Sequence, residues 1–230
     1  LLFGQRWPAL GALVGRGTFA LVIALLLYGP QVGIDANRPA IVFGVPIITN
    51  LNEAEIRTSR YTEPLGDARS AKVVLNLHPG RTIIRALENA DALIDAQVNH
   101  VGEISFRISG EHTKTVHLAQ RAEIRFGPLV TNSSRLMWDI GLTPEIPLDL
   151  SIDVGSGPVN ADLRQLRLQA LDVSGGSGPL DLTLPEGATD YRARVDGGSG
   201  AIDIVVPEGA VLSDLAIEGG SGPLNLEIEA

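Results

Sequence analysis

Cysteine is absent from the 230-residue chain. Its absence excludes disulfides, thiolate metal sites, iron–sulfur clusters and cysteine nucleophiles, but leaves the redox compartment open. Aromatic residues make up only 4% of the chain, so pockets lined by aromatic rings are not expected. Basic residues are outnumbered, with 18 Lys and Arg against 27 Asp and Glu and a formal net charge of −9. A chain this acidic is expected to bind no nucleic acid, because duplex binding depends largely on Lys and Arg that neutralise phosphates.

The apolar content is high enough for a folded core. Apolar residues form 44% of the sequence, which excludes disorder as a description of the whole chain. A chain of this length can form one or two domains. Its 26 glycines and 14 prolines, with few aromatics, indicate small and tightly stacked turns. The sequence begins at Leu1 and its single methionine is Met137, so we expect it to be a fragment of a longer protein.

Residues 1–34 are predicted to be a membrane segment. They contain Arg6 and Arg16 and no acidic residue. Residues 8–28 are mainly apolar, and a helix of that length extends about 31 Å, enough to cross the hydrocarbon core of a bilayer. Arg16 would face a partner helix or extend to the interface, unless the span begins near residue 17. We therefore predict a transmembrane helix at about 8–28, with the lipid bilayer as a partner of the chain.

The residues before this helix set its orientation. Residues 1–3 resemble the end of a preceding helix, and residues 4–6 form a short basic turn. The positive-inside rule places that basic turn in the cytoplasm and everything after Tyr28 on the other side of the membrane. The predicted localisation is therefore the cell membrane, with the rest of the chain on the extracytoplasmic side.

Residues 35–70 are predicted to be a linker, because prolines interrupt them repeatedly. Within this linker, residues 40–48 fit either a short strand or a membrane-proximal patch. From residue 71 to residue 230, alternation of apolar and polar residues predicts an all-β domain. Short strands are predicted ahead of its last third, at 93–99, 103–109, 115–119 and 122–126.

An internal repeat occupies the last third of the chain. Each unit consists of a strand, a Gly-Ser-Gly turn and a second strand, and the serines recur at spacings of 21, 22 and 22 residues. The glycines are expected to provide positive φ at the corners. The repeated turns are Gly155, Ser156, Gly157; Gly176, Ser177, Gly178; Gly198, Ser199, Gly200; and Gly220, Ser221, Gly222.

A unit of about 22 residues with two short strands cannot bury its own apolar face. The apolar residues alternate in phase from unit to unit, so stacked units would align them into ladders about 4.8 Å apart. The predicted fold is therefore all-β, a right-handed-type β-helix or solenoid of about 22-residue coils. A sandwich of hairpins is the alternative, but it does not require matching side chains at a fixed spacing.

No catalytic or cofactor-binding residues are predicted. A hydrolase nucleophile needs G-x-S-x-G between a strand and a helix, whereas the repeat serines lie in turns between strands. His78, His100, His112 and His117 lie outside the repeats and show no metal-ligand spacing. The chain is therefore predicted not to be an enzyme and to carry no metal or cofactor.

One polar position recurs with the repeat. Asn160, Asp181, Asp203 and Asn225 each lie four residues after a repeat serine. Such a ladder is similar to repeats that bind Ca²⁺, but the spacing differs and two of its four members are neutral. Capping of the turn is the preferred interpretation. Residues 151–230 also hold 13 acidic residues against four arginines, which is typical of a solvated face.

A further motif precedes the repeats. Trp138-Asp139 is followed by Leu142-Thr143-Pro144, by a segment from Ile146 to Leu150, and then by the Gly-turn coils. This order resembles the toast-rack domain of LiaF-like membrane proteins, a group described as cell-wall-active antibiotic response proteins, most specifically over residues 138–208. The N-terminal pattern of helix end, basic turn and helix is similar to the same family. The motif residues are Trp138, Asp139, Pro144 and Pro147.

The resemblance implies an envelope-stress sensor or regulator and supplies no catalytic residues. The best-known members restrain a membrane histidine kinase of a two-component system, so a histidine kinase is the implied partner. Two other classes stay open, an extracytoplasmic domain that binds a ligand such as a cell-wall polymer and a structural assembly unit, including a homo-oligomer. Sugar binding would need exposed aromatics, of which Tyr61, Trp138, Tyr191 and a few phenylalanines are candidates outside the membrane segment. The regulatory class is therefore preferred.

The predicted topology can be tested by labelling. A cysteine introduced at Glu186 into this cysteine-free chain is expected to react with a membrane-impermeant thiol reagent in intact cells, because the domain is predicted to be extracytoplasmic. Protection of the thiol until the cells are lysed would place the domain in the cytoplasm and contradict the positive-inside prediction.

Overall fold

A computed structural model describes residues 40–42, 45–47, 56–77, 80–88, 91–120, 135–187 and 190–229. The regular elements in these ranges are β-strands, so the all-β class is confirmed. None of the residues in these ranges forms a helix with the length and apolar character needed to span a bilayer. The membrane helix predicted at 8–28 and the strand predicted at 122–126 lie outside the described residues.

The chain divides into two compact units. The first contains a short antiparallel hairpin of β1 (Ala40–Val42) and β2 (Val45–Ile47), within residues 40–48, where a short strand is one of the two predicted alternatives. The second spans Ala54–Ile124 and Val130–Ala230 and contains the other described strands.

The strands of the second unit form two groups. Ahead of the repeats lie β3 (Arg57–Pro64), β4 (Ser70–Leu77), β5 (Arg81–Ala86), β6 (Ala92–His100), β7 (Ile104–Ser109), β8 (Thr113–Gln120) and β9 (Met137–Leu142). Within the repeats lie β10 (Leu148–Val154), β11 (Val159–Asp162), β12 (Leu168–Ser174), β13 (Leu180–Thr183), β14 (Tyr191–Asp196), β15 (Ile202–Val206), β16 (Leu212–Glu218) and β17 (Leu224–Ile228). The strands predicted at 93–99, 103–109 and 115–119 are confirmed as β6, β7 and β8.

Two mixed sheets share these strands. The seven-stranded sheet, here called sheet I, has the order β16-β14-β12-β10-β4-β8-β7. The eight-stranded sheet, here called sheet II, has the order β17-β15-β13-β11-β5-β9-β6-β3. From β8 onward, successive strands alternate between the two sheets, so each coil contributes one strand to each. The inward-facing aliphatic side chains of both sheets join in one buried cluster.

The repeats stack as predicted. Each strand pairs in parallel with the equivalent strand one coil away, for example β11 with β13, β13 with β15 and β15 with β17. This register aligns Ala161, Leu182, Ile204 and Leu226 in one ladder, of which the first three are at most 2% exposed. The predicted solenoid of stacked coils is therefore confirmed, whereas its handedness stays a prediction.

Two coils of the stack carry no Gly-Ser-Gly signature. β4 and β5 pair in parallel with β10 and β11, so they form the coil next to the first repeat. β8 and β9 pair in parallel with the other side of β4 and β5. Stacking order therefore departs from chain order, because β10 and β11 return to the free side of the coil formed by β4 and β5.

Antiparallel strands close the end of the stack that lies opposite the repeats. β7 pairs with β8 in sheet I, and β6 pairs with β9 and with β3 in sheet II. The rings of Tyr61 on β3 and Phe106 on β7 lie with centroids 5.3 Å apart, and Lys114 Nζ donates to Glu63 Oε1 at 2.6 Å. Charged residues and Pro64 on β3 are typical of a sheet edge that resists further pairing.

The position of β3 differs from the sequence prediction, which assigns these residues to a linker. Only one large apolar side chain of β3, that of Tyr61, faces inward, so local alternation is weak there. Residues paired between β3 and its partner strand β6 lie 28 to 43 positions apart in the chain, and that pairing leaves no local signal in the sequence. The strand order therefore extends the β domain into the stretch ahead of residue 71.

The repeat glycines are required by close backbone approach and not by positive φ, which corrects the sequence expectation. Positive φ occurs at Gly187 and Gly209 in the Pro-Glu-Gly turns, but at none of the glycines of the four Gly-Ser-Gly turns. A Cβ on Gly178 would lie 2.1 Å from the carbonyl oxygen of Gly157 in the neighbouring coil, and one on Gly200 would lie 1.9 Å from that of Gly178. Each corner therefore fits the next one only when its side chain is a hydrogen atom.

The inward and outward positions of one strand give the first stability test. Leu182→Asp is expected to cost more than about 4 kcal/mol of unfolding free energy, because it places an unpaired charge where Leu182 is 1% exposed. Asp181→Ser is expected to change that free energy by less than about 0.5 kcal/mol, because residue 181 is exposed. Urea unfolding followed by circular dichroism measures both, and equal destabilisation would show that the register is wrong.

Two glycines in the turn regions of different coils give a second test. Gly178→Ala is expected to cost about 2 kcal/mol or more, because its Cβ would collide with the Gly157 carbonyl. Gly219→Ala is the matched control, since a Cβ there meets nothing within 4 Å and φ is not positive. It is expected to be neutral or stabilising by up to about 1 kcal/mol. Similar melting temperatures for the two variants would contradict the close approach of the corners.

Candidate functional site

The repeat serines lie together on the surface, at one corner of the stack. Ser156, Ser177, Ser199 and Ser221 are all exposed. Their backbones connect the coils, because the N–H of Ser199 donates to Gly176 O and that of Ser221 to Gly198 O, both at 2.9 Å. All four histidines of the sequence lie outside the repeat coils, so the turns themselves supply no imidazole base to a serine hydroxyl. The geometry of these residues is that of a structural turn.

The histidines in the described ranges are separate from one another. His100 is 5% exposed, and its ring nitrogens bond to Ser59 Oγ and to the Gly102 carbonyl, each at 3.0 Å. His112 lies near the Asp67 carbonyl, and His117 lies on the outer face of β8. His78 lies outside the described residues. Among the residues that the structure describes, no group of three His, Asp or Glu side chains is arranged to hold a metal ion.

The recurring Asn/Asp position forms a column on the outer face of sheet II. Asn160, Asp181, Asp203 and Asn225 pair in register from β11 to β17, and all four are exposed. Parallel strands hold neighbouring members about 4.8 Å apart. On the far side of Asn160 the register continues to Ile83 of β5, where the polar column ends. The column is a fixed row of polar side chains that points to solvent.

A neighbouring group of ionic residues lies beside this column. Arg164 donates to both carboxylate oxygens of Asp162 and thereby holds the pKa of Asp162 below its ordinary value. Both side chains line a depression of about 260 Å³ together with Arg85 and Glu186. Arg85 is itself bonded to both carboxylate oxygens of Asp139, at 2.8 and 3.0 Å. Arg85, Asp162 and Arg164, three of the four charged residues in this depression, are therefore paired within the protein.

Sheet I presents a similarly charged outer face. Arg194 donates to Glu218 Oε1 at 2.7 Å on the next coil and to Asp196 at 3.2 Å on its own strand. These bonds raise the pKa of the Arg194 guanidinium above its ordinary value. The pairing shows how an arginine on one coil neutralises an acid on its neighbour, although acids outnumber arginines in the repeats as a whole.

The motif around Trp138 forms the link between two coils. Trp138 on β9 is 1% exposed, and Thr143 is fully buried at the bend that follows. The Thr143 N–H donates to Leu93 O at 3.0 Å, and the carbonyl of Pro147 accepts from the Ala71 N–H at 3.1 Å. These bonds hold the connection between β9 and β10 in place where it passes the coil formed by β4 and β5. The motif therefore fixes the point where stacking order departs from chain order.

The aromatic residues of the described part face the core. Tyr191 is 2% exposed, and burial raises its pKa to about 12. Within the described ranges, neither Tyr191 Oη nor Trp138 Nε1 has a hydrogen-bond partner. Tyr61 is half-buried against Phe106. The inward position of Tyr191 has a sequence signal, since it lies two residues before Ala193 in the alternating pattern.

Comparison with known proteins places the fold. The model of a family described as the N-terminal domain of toast_rack, DUF2154, matches residues 50–205. A solved structure of a candidate cell adhesion protein from Clostridium sporogenes ATCC 15579 matches with a TM-score of 0.57 and 18% identity, over 76% of this chain and 99% of that one. A candidate adhesin from Bacteroides fragilis NCTC 9343 matches with a TM-score of only 0.29 and 12% identity, over 76% and 97% of the two chains. No protein of curated function matches this chain.

These comparisons agree with the sequence in one respect. The resemblance to a toast-rack domain, carried by Trp138, Asp139, Pro144, Pro147 and the Gly-turn coils, is confirmed by the family match. The solved structure from Clostridium sporogenes supports the fold alone, because its identity to this chain is low. Since the family model covers more than half of the sequence, the chain belongs to the toast_rack family defined by the DUF2154 N-terminal domain.

Proposed function

We propose that this protein is a non-enzymatic interaction module that binds another protein through the outer faces of its repeat coils. Its place is the extracytoplasmic side of the cell membrane, where the helix predicted at 8–28 tethers it. The observation that carries this proposal is the in-register column of exposed Asn and Asp side chains on sheet II, held at fixed spacing.

The rigidity of the stack supports recognition by these faces. Backbone bonds join each repeat coil to the next, at the corners as well as along the strands. The outward side chains therefore occupy set positions before any partner binds, and less conformational entropy is lost on association. A partner that matches the spacing and the charge of the face would be selected.

The charge of the repeats indicates which partner fits. Residues 151–230 carry 13 acidic residues and four arginines, and within the column Asp181 and Asp203 have no arginine on their own strands. A partner surface with Lys or Arg would meet complementary charge here and would be attracted at long range. The depression of about 260 Å³ lies below the usual size of small-molecule pockets, and its two arginines are already paired with acids of the chain.

The finer proposal concerns regulation of the cell envelope. The family resemblance and the predicted tether support a role in envelope-stress sensing, with a two-component histidine kinase in the same membrane as the proposed partner. A second candidate is adhesion or structural assembly at the cell surface. The fold shared with the candidate cell adhesion protein of Clostridium sporogenes supports that alternative. Binding of a cell-wall polymer is a third reading, and the inward position of Tyr61, Trp138 and Tyr191 counts against sugar stacking on those rings.

The experiment that tests the proposal neutralises the column without altering its shape. The double variant Asp181→Asn, Asp203→Asn makes all four members asparagine, a residue that the column already holds at 160 and 225. The tagged full chain and this variant are cross-linked in membranes, and the captured proteins are quantified by mass spectrometry. We expect the variant to capture at least about five-fold less of its specific partner than the native chain, because the complementary charge is removed.

Two controls complete this test. Glu111→Gln removes one exposed charge outside the repeat coils and is expected to leave capture unchanged. Deletion of residues 151–230 is expected to abolish capture, and co-sedimentation with isolated cell-wall sacculi measures polymer binding separately. Unchanged capture by both the double variant and the deletion would exclude the coils as the contact surface and contradict the proposal.

A further inference from the structure

In the described part of the chain, the large hydrophobic side chains that are exposed belong to the last coil, which contains β16 and β17. Val211, Leu224, Leu226 and Ile228 are 42, 45, 41 and 68% exposed. Leu224 and Leu226 continue ladders whose preceding members, Ile202 and Ile204, are only 4% and 1% exposed. The apolar ladders of sheet II therefore reach β17 and meet solvent there.

The backbone of β17 is also available along this edge. Pro223 O accepts from the Ile202 N–H at 2.9 Å, and the Glu229 N–H donates to Val206 O at 3.0 Å. Since the direction of these groups alternates along a strand, odd-numbered residues of β17 bond to β15. The N–H and C=O groups of residues 224, 226 and 228 then point to the other side, where no described strand pairs with β17.

We propose that a second copy of this chain covers the edge, with the two β17 strands antiparallel about a two-fold axis at Leu226. In this register Leu226 pairs with Leu226 of the partner subunit, and Leu224 pairs with Ile228 of the partner subunit. The inward apolar side chains stay on the core side of sheet II, because paired residues in an antiparallel ladder share a face. Each exposed aliphatic of β17 then contacts another, and the sheet becomes continuous across the two copies.

The sequence of β17, Leu-Asn-Leu-Glu-Ile, is self-complementary in this register. Asn225 lies opposite Glu227 of the partner subunit, so an amide donor meets a carboxylate acceptor at both sites related by the two-fold axis. All three available residues, 224, 226 and 228, pair their backbone groups. An axis at Asn225 would leave the groups of Ile228 unpaired, and an axis at Glu227 would place the two Glu227 carboxylates opposite each other. Hydrogen bonding and charge therefore both favour the axis at Leu226.

Charge elsewhere in the last coil sets how this association depends on salt. Asp214 on β16 lies at the same end of the stack and repels its equivalent in a second copy. Salt screens that repulsion, whereas the aliphatic contact and the backbone bonds persist. Association is therefore expected to strengthen as NaCl rises from 50 to 500 mM. This inference is independent of the proposed function, whose charged members Asp181 and Asp203 lie away from the edge; Asn225 alone belongs to both surfaces.

Disulfide trapping tests the register directly, because the native chain has no cysteine. Two differently tagged full-length chains, Asn225→Cys and Glu227→Cys, are mixed and oxidised. Residues 225 and 227 of opposite copies would form a non-hydrogen-bonded pair with Cα atoms about 4.5 Å apart, within the range that a disulfide bridges. We expect the mixed dimer to exceed either like-with-like dimer at least three-fold. Asp181→Cys, which is exposed in the middle of the same sheet face, serves as the control and is expected to give little dimer.

Sedimentation of the full chain in detergent provides the second measurement. Leu226→Lys is expected to raise the dimer dissociation constant at least about ten-fold without unfolding the chain, since the side chain is already 41% exposed. Asn225→Lys is the matched variant and is expected to keep or tighten the dimer, because a lysine there faces Glu227 of the partner subunit. Like-with-like disulfides in excess would overturn the register. A monomeric chain whose mixed disulfide does not exceed the Asp181→Cys control would overturn the proposal.

Discussion

The stack depends on how closely the backbones of successive corners approach one another. A Cβ on Gly176 would lie 1.7 Å from Gly155 O, and one on Gly198 would lie 1.9 Å from Gly176 O. This contact fixes the height and the phase of both strands that leave each corner. The aliphatic ladders, such as that of Leu182 and Ile204, close only because the two strands of every coil start from the same register. A side chain at one corner would therefore displace strands in both sheets.

The repeats could be predicted from the sequence because each coil repeats both its glycines and its alternation. The coil of β4 and β5 pairs in parallel with its neighbours as the repeats do, but it lacks the Gly-Ser-Gly sequence, and it lies out of chain order between the coils on either side. Neither feature produces a periodic pattern in the sequence. The pairing of β3 with β6 joins residues 28 to 43 positions apart, so local composition predicted a linker where the structure has a strand. A recurring glycine shows that a hydrogen is required, but not whether φ or a neighbouring carbonyl requires it.

The residues of the candidate site also differ in how far local sequence predicts their positions. The outward direction of Asp181 and Asp203 follows from alternation alone, and the structure confirms it. The inward direction of Trp138 depends instead on strands β5 and β6, which flank β9 and are distant in sequence. Composition could show that aromatics are few, but not that Trp138 and Tyr191 are buried. The role of the Trp138 to Pro147 motif as the link to β10 is likewise visible only once the neighbouring strands are in place.

In the outer column, folding and recognition place different requirements on the side chains. Its four members, Asn160, Asp181, Asp203 and Asn225, have nearly the same shape but differ in charge, and all occupy equivalent exposed positions. The stack therefore accepts either residue there, since neither the corner contacts nor the buried ladders involve these side chains. Folding does not require the negative charge at Asp181 and Asp203. The charge instead governs what the surface attracts, because fixed charges on a rigid face act on a partner without any rearrangement of the coils.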